Sequence, residues 1–211
     1  MKEKMFAIGG STSGGKIAII SDVHNNDVNL KKVLDYCVQN KIEKIICCGD
    51  LASMEMLDFL NDNFAGEIFF TFGNMDNDFL RDKFCHPELD SGSKNKLDSG
   101  SEAGMTDIYK NTKIFKDFGE AEFPKVEPSD EGSTFIKIAF VHFPEVAKKL
   151  CESGKYKFVF YGHTHRPFEE IINNCKILNP GNVAGDGFLP TFAIWNTIDD
   201  KFELIMVHDI K

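Results

Sequence analysis

The sequence predicts an α/β fold in which two β-sheets pack together with helices on the outside. In the first half of the chain, three short apolar segments at 16–21, 44–48 and 67–72 alternate with helical patterns, and this β-α-β-α-β order indicates a parallel sheet. In the second half, strand patterns follow one another with turns between them, which predicts a second sheet. Two packed sheets are the most economical arrangement of these elements.

The two helices of the first half are marked by composition and spacing. A segment rich in Met and Leu at 53–61 predicts the second helix. The first helix lies between the first two strands, where one helical face carries five apolar residues: Leu30, Val33, Leu34, Cys37 and Val38. Each helix joins two strands that run in the same direction, as the connections of a parallel sheet require.

The second half contains fewer helices and more strands. Strands at 136–141 and 158–161 flank a helix around Val146 to Leu150. After them, three apolar segments separated by turns each predict one strand: EEIINNCKIL, LPTFAIWNT and KFELIMVHD.

One domain is expected, over residues 16–211, with two segments that do not contribute to its core. Residues 1–15 end in GGSTSGG, which predicts a flexible lead-in. The segment at 87–104 contains LDSGS twice, and its only aliphatic residues are Leu89, Leu97 and Ala103. Because so polar a segment cannot bury a core, we expect a disordered insertion there.

Composition and charge narrow the classes of partner. The chain carries 33 acidic and 24 basic residues, a net charge of −9 that disfavours duplex nucleic acid as a partner. Bound divalent cations would reverse the charge locally, so a small phosphorylated substrate is compatible with this composition. No apolar run is long enough for a signal peptide or a membrane span, and the six cysteines show no C-x-x-C spacing. We therefore expect a cytoplasmic protein without membrane contact.

Oxygen-bearing side chains follow all three strands of the first half. Asp22 and His24 follow the first strand, Asp50 the second, and Asn74 the third. If the chain is extended there, Asp22 and His24 point the same way and can chelate one ion, although a helix cap and a surface histidine explain this pair better when it is taken alone. Each of the other two segments alone is an ordinary turn. Three successive strand ends favour a binding site, because open α/β sheets bind ligands at the carboxyl ends of their strands.

Histidines follow the strands of the second half in the same way. His142 comes after the strand at 136–141, and Gly162-His163-Thr164-His165 comes after the strand at 158–161. A lone histidine there is better explained as a core imidazole bonded to backbone. In an extended chain, however, the last two histidines would stand roughly 6 to 7 Å apart, which suits two ions roughly 3.5 to 4 Å apart. Four of six histidines after strand ends thus predict a metal site.

In order, these segments read DVH, GD, GNMD, a single His and GHTH. The chain thereby resembles the calcineurin-like metallophosphoesterase superfamily over 16–208, and within it the small bacterial and archaeal phosphodiesterases of the YfcE/MJ0936-like group. The resemblance implies a four-layer α/β/β/α sandwich. It also implies two divalent metal ions, of which Mn is expected first and Ni, Fe, Co or Zn also suit the ligands.

The resemblance assigns a role to each ligand. One ion would be held by Asp22, His24 and His165. The second would be held by Asn74, His142 and His163, and Asp50 would bridge both. Catalysis through the metals would then rest chiefly on Asp50, Asn74 and His142.

The function implied is hydrolysis of a small phosphodiester by a metal-bridging hydroxide. Two alternatives remain open: a phosphomonoesterase or nucleotidase with the same metals, and a metal-free protein-binding scaffold, which the seven filled ligand positions disfavour. The sequence leaves the natural substrate open, and it also leaves open whether the chain forms a homo-oligomer.

Several residues depart from the family pattern or add to it. Met75 stands where many relatives have a histidine that can act as general acid, and Phe143 stands where Gly is common and is expected to alter the cleft near the second metal. Asp76 is expected to cap the next helix or to orient a ligand histidine. Arg166 is expected either to contact phosphate or to remain an exposed charge. The turn at 179–182, Asn-Pro-Gly-Asn, resembles a family loop close to the site.

Overall fold

The structure, a computed structural model, describes residues 15–76, 80, 83–84, 105–125 and 134–210. The predicted insertion at 87–104 and the predicted lead-in, except Gly15, lie outside these ranges. Within these ranges the strands form two sheets, accompanied by three helices whose bounds are described and by a short 3₁₀ helix, Val207–Asp209. The helices are α1 (Asp27–Gln39), α2 (Met54–Asn63) and α3 (Pro144–Glu152).

The first sheet has seven strands in the order β12-β11-β1-β2-β3-β5-β4. Strands β1, β2, β3 and β5 run parallel, which confirms the parallel sheet predicted from the first half. At one side of this sheet β11 pairs antiparallel with β1, and β12 pairs antiparallel with β11. At the other side β4 pairs antiparallel with β5. The bounds are β1 (Lys16–Ile20), β2 (Lys44–Cys47), β3 (Glu67–Thr71), β4 (Met105–Tyr109), β5 (Thr112–Phe115), β11 (Thr191–Asn196) and β12 (Lys201–Met206).

The second sheet has five strands in the order β6-β7-β8-β10-β9. Its central strands β7, β8 and β10 are parallel, and β6 and β9 pair antiparallel at the two edges. The bounds are β6 (Gly119–Lys125), β7 (Thr134–Phe140), β8 (Phe158–Phe160), β9 (Phe168–Ile172) and β10 (Cys175–Asn179).

Three apolar clusters separate four layers. Helices α1 and α2 pack against the outer face of the first sheet, where Leu34 and Leu57 meet Phe70. Between the sheets lie side chains from both, among them Phe140 and Trp195. Helix α3 packs on the outer face of the second sheet in a third cluster. The α/β/β/α sandwich is therefore confirmed.

Three sequence interpretations need correction. EEIINNCKIL is a hairpin of β9 and β10, because Asn173 and Asn174 both adopt positive φ, 50° and 67°, as a tight two-residue turn requires. Val38 is 62 % exposed, so it does not belong to the buried face of α1. Strands β4, β5 and β6 were not predicted, because the sequence signals of these segments are short and mix polar with apolar residues.

A disulfide links Cys151 in α3 to Cys175 in β10, with their Cα atoms 5.4 Å apart. The cysteine spacing did not predict it. Three other cysteines in the described part of the chain are free and buried: Cys37, Cys47 and Cys48. None of the helices in the described ranges has the length and apolarity needed to cross a bilayer.

Deletion of residues 87–104 tests the predicted insertion. Replacing them with a short glycine linker should leave the melting temperature and the metal content nearly unchanged, because the segment is polar and loop-closure entropy varies slowly with length. Thermal melts and metal analysis of the two proteins measure this. Aggregation of the shortened protein would show that the segment is integrated into the domain.

Candidate metal centre

All seven predicted ligands lie on loops that leave the same edge of the two sheets. Loops after β1, β2 and β3 of the first sheet face loops after β7 and β8 of the second. Because each set of strands is parallel, their carboxyl ends coincide, and the loops converge. The side chains brought to this edge are Asp22, His24, Asp50, Asn74, His142, His163 and His165.

A first group of facing ligand atoms is formed by Asp22, His24 and His165. The Nε2 atoms of the two histidines are 3.2 Å apart. Asp22 Oδ1 lies 3.3 Å from His165 Nε2 and 3.7 Å from His24 Nε2. One carboxylate oxygen and two imidazole nitrogens within 4.8 Å of one another are a donor set that fits a divalent transition metal.

A second group lies beside the first. Asp50 Oδ2 is 3.3 Å from His142 Nε2, and with Asp22 these residues form another set of atoms within 4.8 Å. Asn74 Oδ1 lies 3.0 Å from His142 Nε2 and 2.9 Å from His163 Nδ1. Asp50 Oδ2 is also 3.7 Å from His24 Nε2, so this carboxylate lies between the two groups. Asp22 belongs to both groups as well.

The ligand-bearing backbone is strained rather than extended. Five of the seven residues adopt positive φ: Asp22 at 54°, His24 at 46°, Asp50 at 58°, His163 at 68° and His165 at 59°. The extended geometry assumed for Asp-Val-His and His-Thr-His is therefore wrong, although the side chains still converge. Left-handed conformations of non-glycine residues cluster at functional sites, where the surrounding structure maintains them.

Backbone carbonyls fix the orientation of two imidazoles. His142 Nδ1 lies 2.8 Å from the Cys48 carbonyl, and His165 Nδ1 lies 3.1 Å from the Asp186 carbonyl. A carbonyl can only accept, so each Nδ1 carries the hydrogen and each Nε2 is left as the donor atom for a metal. Hydrogen bonds of this kind typically support ligand histidines.

Comparison with known proteins identifies the family of this chain. The model of the calcineurin-like phosphoesterase superfamily domain matches residues 16–200. The chain belongs to this superfamily. It is similar to Phosphodiesterase MJ0936 of Methanocaldococcus jannaschii, with 28 % identity over 194 residues that cover 91 % of this chain and 99 % of the relative.

Solved structures of phosphoesterases share the fold. A structure of an archaeal phosphodiesterase superposes with a TM-score of 0.66 at 25 % identity, covering 90 % of this chain and 99 % of the other. The phosphoesterase YfcE of E. coli covers 91 % of this chain and 99 % of its own, with a TM-score of 0.53, and at 15 % identity it shows the fold alone. Because this chain belongs to a phosphoesterase superfamily and is similar to phosphodiesterases over nearly its whole length, it is a hydrolase.

The loop at 179–182 is hydrogen-bonded to the Gly-His-Thr-His loop of this phosphoesterase. Asn179 Nδ2 donates to the Gly162 carbonyl at 2.8 Å and to Thr164 Oγ1 at 3.0 Å. Asn182 Nδ2 donates to the His165 carbonyl at 3.0 Å. This loop was expected to lie close to the site, but its two asparagines were assigned no role beyond a turn. The asparagines that flank Pro-Gly are the signal that could have revealed their hydrogen bonds.

Asp76 holds two ligand loops together. Its carboxylate, buried to 2 % exposure, accepts hydrogen bonds from the backbone N–H groups of Asp50 at 3.0 Å, Gly73 at 2.6 Å and Ala52 at 2.9 Å. The residues that an Asp76 cap would contact, 77–79, lie outside the described ranges. Burial raises the pKa of Asp76 against the effect of these hydrogen bonds.

Asp76→Asn is expected to weaken metal binding by about 10- to 100-fold, the usual cost of losing an outer hydrogen-bond partner of a metal ligand. An amide has a single acceptor oxygen, so it cannot satisfy all three backbone donors. Calorimetric titration with Mn²⁺ measures the change, and Asp27→Asn in α1 serves as a control. An unchanged affinity would mean that the Asp50 loop holds its position without this carboxylate.

Protons compete with metal for the same histidines. The Asp22 carboxylate, 3.7 Å from His24 Nε2, is the main cause that raises the pKa of His24 above 6.5. For His142, burial lowers the pKa, but the hydrogen bond and charge of Asp50 outweigh burial and raise it. Burial likewise tends to raise the pKa of Asp50, and His142 reverses the effect so that it is lowered. Without metal, these shifts favour the ionised form of Asp50 and keep His24 and His142 protonated to higher pH than an ordinary histidine.

Metal affinity should therefore fall as pH falls, and the fall should begin above pH 6.5. The ligand is the neutral imidazole, and a raised pKa extends protonation to higher pH, so binding must release protons. Titration with Mn²⁺ at a series of pH values, in buffers of different ionisation enthalpy, counts the protons released. Affinity independent of pH between 6 and 8 would contradict the assignment of these histidines as ligands.

Two further predicted residues are also located. Arg166, directly after His165, is exposed. The Phe143 ring lies against the rings of His142 and His163, as expected for a residue that alters the cleft near the second group.

Proposed function

We propose that this protein is a dinuclear, metal-dependent phosphodiesterase that hydrolyses a small phosphodiester. The observation that carries the proposal is the pair of adjacent ligand groups, with Asp50 between them and Asp22 common to both. Superfamily membership supports a phosphoesterase, and similarity to Phosphodiesterase MJ0936 supports a diester as substrate.

In this proposal the seven ligands are divided between two metal ions. Asp22, His24 and His165 would hold one ion, and Asp50 would serve both. Two carboxylates and two divalent ions leave a net positive centre, which attracts an anionic ester. Mn²⁺ is proposed first, with Fe, Co, Ni or Zn also suited to mixed oxygen and imidazole ligands. The second ion would be held by Asn74, His142 and His163.

The residues of the chain prepare the site before substrate arrives. Bound divalent cations of such a centre lower the pKa of water and stabilise charge on phosphate oxygens. Asp50 accepts a hydrogen bond from the Met75 N–H at 2.7 Å through Oδ1, which leaves Oδ2 directed at the histidines. Asp22 accepts at 3.1 Å from the His163 N–H, so the carboxylate of one group anchors the loop of the other. Such fixed ligands need little reorganisation during the reaction.

Metal analysis combined with paired substrates tests the proposal. The purified protein should bind two Mn²⁺ ions per chain and hydrolyse bis(p-nitrophenyl) phosphate faster than p-nitrophenyl phosphate, with activity lost on chelation and restored by metal. Preference for the monoester would instead indicate a phosphomonoesterase or nucleotidase. One bound ion would overturn the dinuclear centre. Absence of both metal binding and hydrolysis would leave the metal-free scaffold.

A further inference from the structure

Two exposed apolar residues directly follow ligands proposed for the second metal ion. Phe143 directly follows the ligand His142 and is 36 % exposed; Met75 directly follows the ligand Asn74 and is 53 % exposed. Single exposed apolar residues are common on protein surfaces. Here, however, both are adjacent in sequence to ligands proposed for the same ion, and the Phe143 ring lies against two of those ligands, His142 and His163.

The Phe143 ring contacts two ligand imidazoles, one edge-on and one tilted. Its centroid is 5.0 Å from that of His142 at an interplanar angle of 81°, and 5.2 Å from that of His163 at 58°. Neither imidazole stacks flat on the ring, and more than a third of the residue remains exposed. A partner with a flat face can therefore still pack against it, since aromatic rings favour offset-stacked or edge-to-face contacts.

The backbone of Phe143 is also restrained. Its φ of −88° and ψ of 133° are the extended values imposed on a residue that precedes proline, here Pro144 at the start of α3. Its carbonyl accepts the Ala147 N–H at 3.0 Å, the first turn of that helix. A restrained aromatic side chain loses little conformational entropy when it binds a ligand.

We propose that Phe143, together with Met75, recognises a flat aromatic group carried by the substrate's phosphate. This inference rests on the proposed function, because phosphate bound at the ions would place its substituent beside Phe143. A thioether packs favourably against aromatic rings, so Met75 suits the same occupant. Both an aryl group and a nucleobase have this chemistry.

Binding of phosphonates to the Mn²⁺-loaded protein tests the inference, because their C–P bond resists hydrolysis. Calorimetry should give a Kd for phenylphosphonate about tenfold below that for methylphosphonate, a factor typical of one stacked ring. Phe143→Ala should bring the ratio of the two Kd values to about one. Phe143→Leu, which retains apolar bulk, provides a second variant should the alanine protein fold poorly.

Phe135→Ala is the matched control. Phe135 is 60 % exposed and lies on β7, seven residues before His142 and roughly 20 Å from the ligand end of the strand. This variant should retain the native ratio. A phosphonate bearing a nucleoside separates the two sources: tighter binding than phenylphosphonate indicates a nucleobase, and weaker binding indicates an aryl group.

The outcomes separate this inference from the proposed function. Equal Kd values for the two phosphonates in the native protein would overturn the inference alone if diester hydrolysis still depends on metal. The same follows if Phe143→Ala and Phe143→Leu both keep the native ratio. If neither phosphonate binds and no ester is hydrolysed, the proposed function fails and the inference with it.

Discussion

Asp50→Asn is expected to abolish most phosphodiesterase activity and to reduce metal content at both positions. The Asp50 carboxylate lies 3.3 Å from His142 Nε2 and 3.7 Å from His24 Nε2, between the two ligand groups. An amide of the same shape supplies no compensating charge to either ion. The loss should exceed the roughly 10- to 100-fold cost of removing an outer hydrogen-bond partner. Metal analysis and diester hydrolysis measure both effects.

His165→Ala tests whether a ligand of one ion behaves differently from the shared ligand Asp50. His165 contacts only the first group in the proposed assignment, so metal titration should show one site weakened before the other. His208→Ala, an exposed histidine outside the site, should match the native protein. Equal loss of both metals in His165→Ala would contradict the assignment.

Hydrolysis rates should fall steeply as the leaving group becomes more basic. A methionine thioether cannot donate a proton, and Met75 stands where a general acid is common in the superfamily. Asp76 is a poor substitute, because its buried carboxylate accepts three backbone hydrogen bonds. General acid assistance is typically worth about 10² to 10⁴ in rate, so esters with acidic leaving groups should react much faster than alkyl esters.

A series of aryl methyl phosphates with graded leaving-group pKa measures this slope. Met75→His should flatten it if the new imidazole reaches the leaving oxygen, whereas Met75→Leu, the matched control, should keep it steep. A flat dependence in the native protein, with chemistry shown to be rate-limiting, would show that another residue already supplies the proton.

The convergence of the ligands was predictable because parallel strands end at a common edge. Apolar runs located β1, β2, β3, β7 and β8, and the polar residues after each run then had to meet. The order of five short motifs then indicated the superfamily, and the resemblance implied the four-layer sandwich. Local composition and strand order were thus sufficient to bring the candidate site together.

What the sequence did not reveal depends on contacts between distant segments. The left-handed backbone at Asp22 and His165 has only a weak local signal: Asp and His are enriched there among non-glycine residues, but most Asp and His residues adopt other conformations. The Asn182 bond to the His165 carbonyl and the Cys151–Cys175 disulfide join segments whose proximity follows only from packing. Cytoplasmic location and the disordered insertion stay predictions, and the sequence leaves open whether the chain forms a homo-oligomer.

The positive-φ backbone at the ligand loops lowers the stability of the fold while it positions the ligands needed for activity. Such conformations cost on the order of 1–3 kcal/mol at each non-glycine residue, while a whole domain typically has only about 5–15 kcal/mol of stability. Glycine would relieve this strain at the ligand positions but would remove the ligands. Selection for function therefore keeps the fold below the stability it could reach, and a bound ion, which favours the folded state, recovers part of that loss.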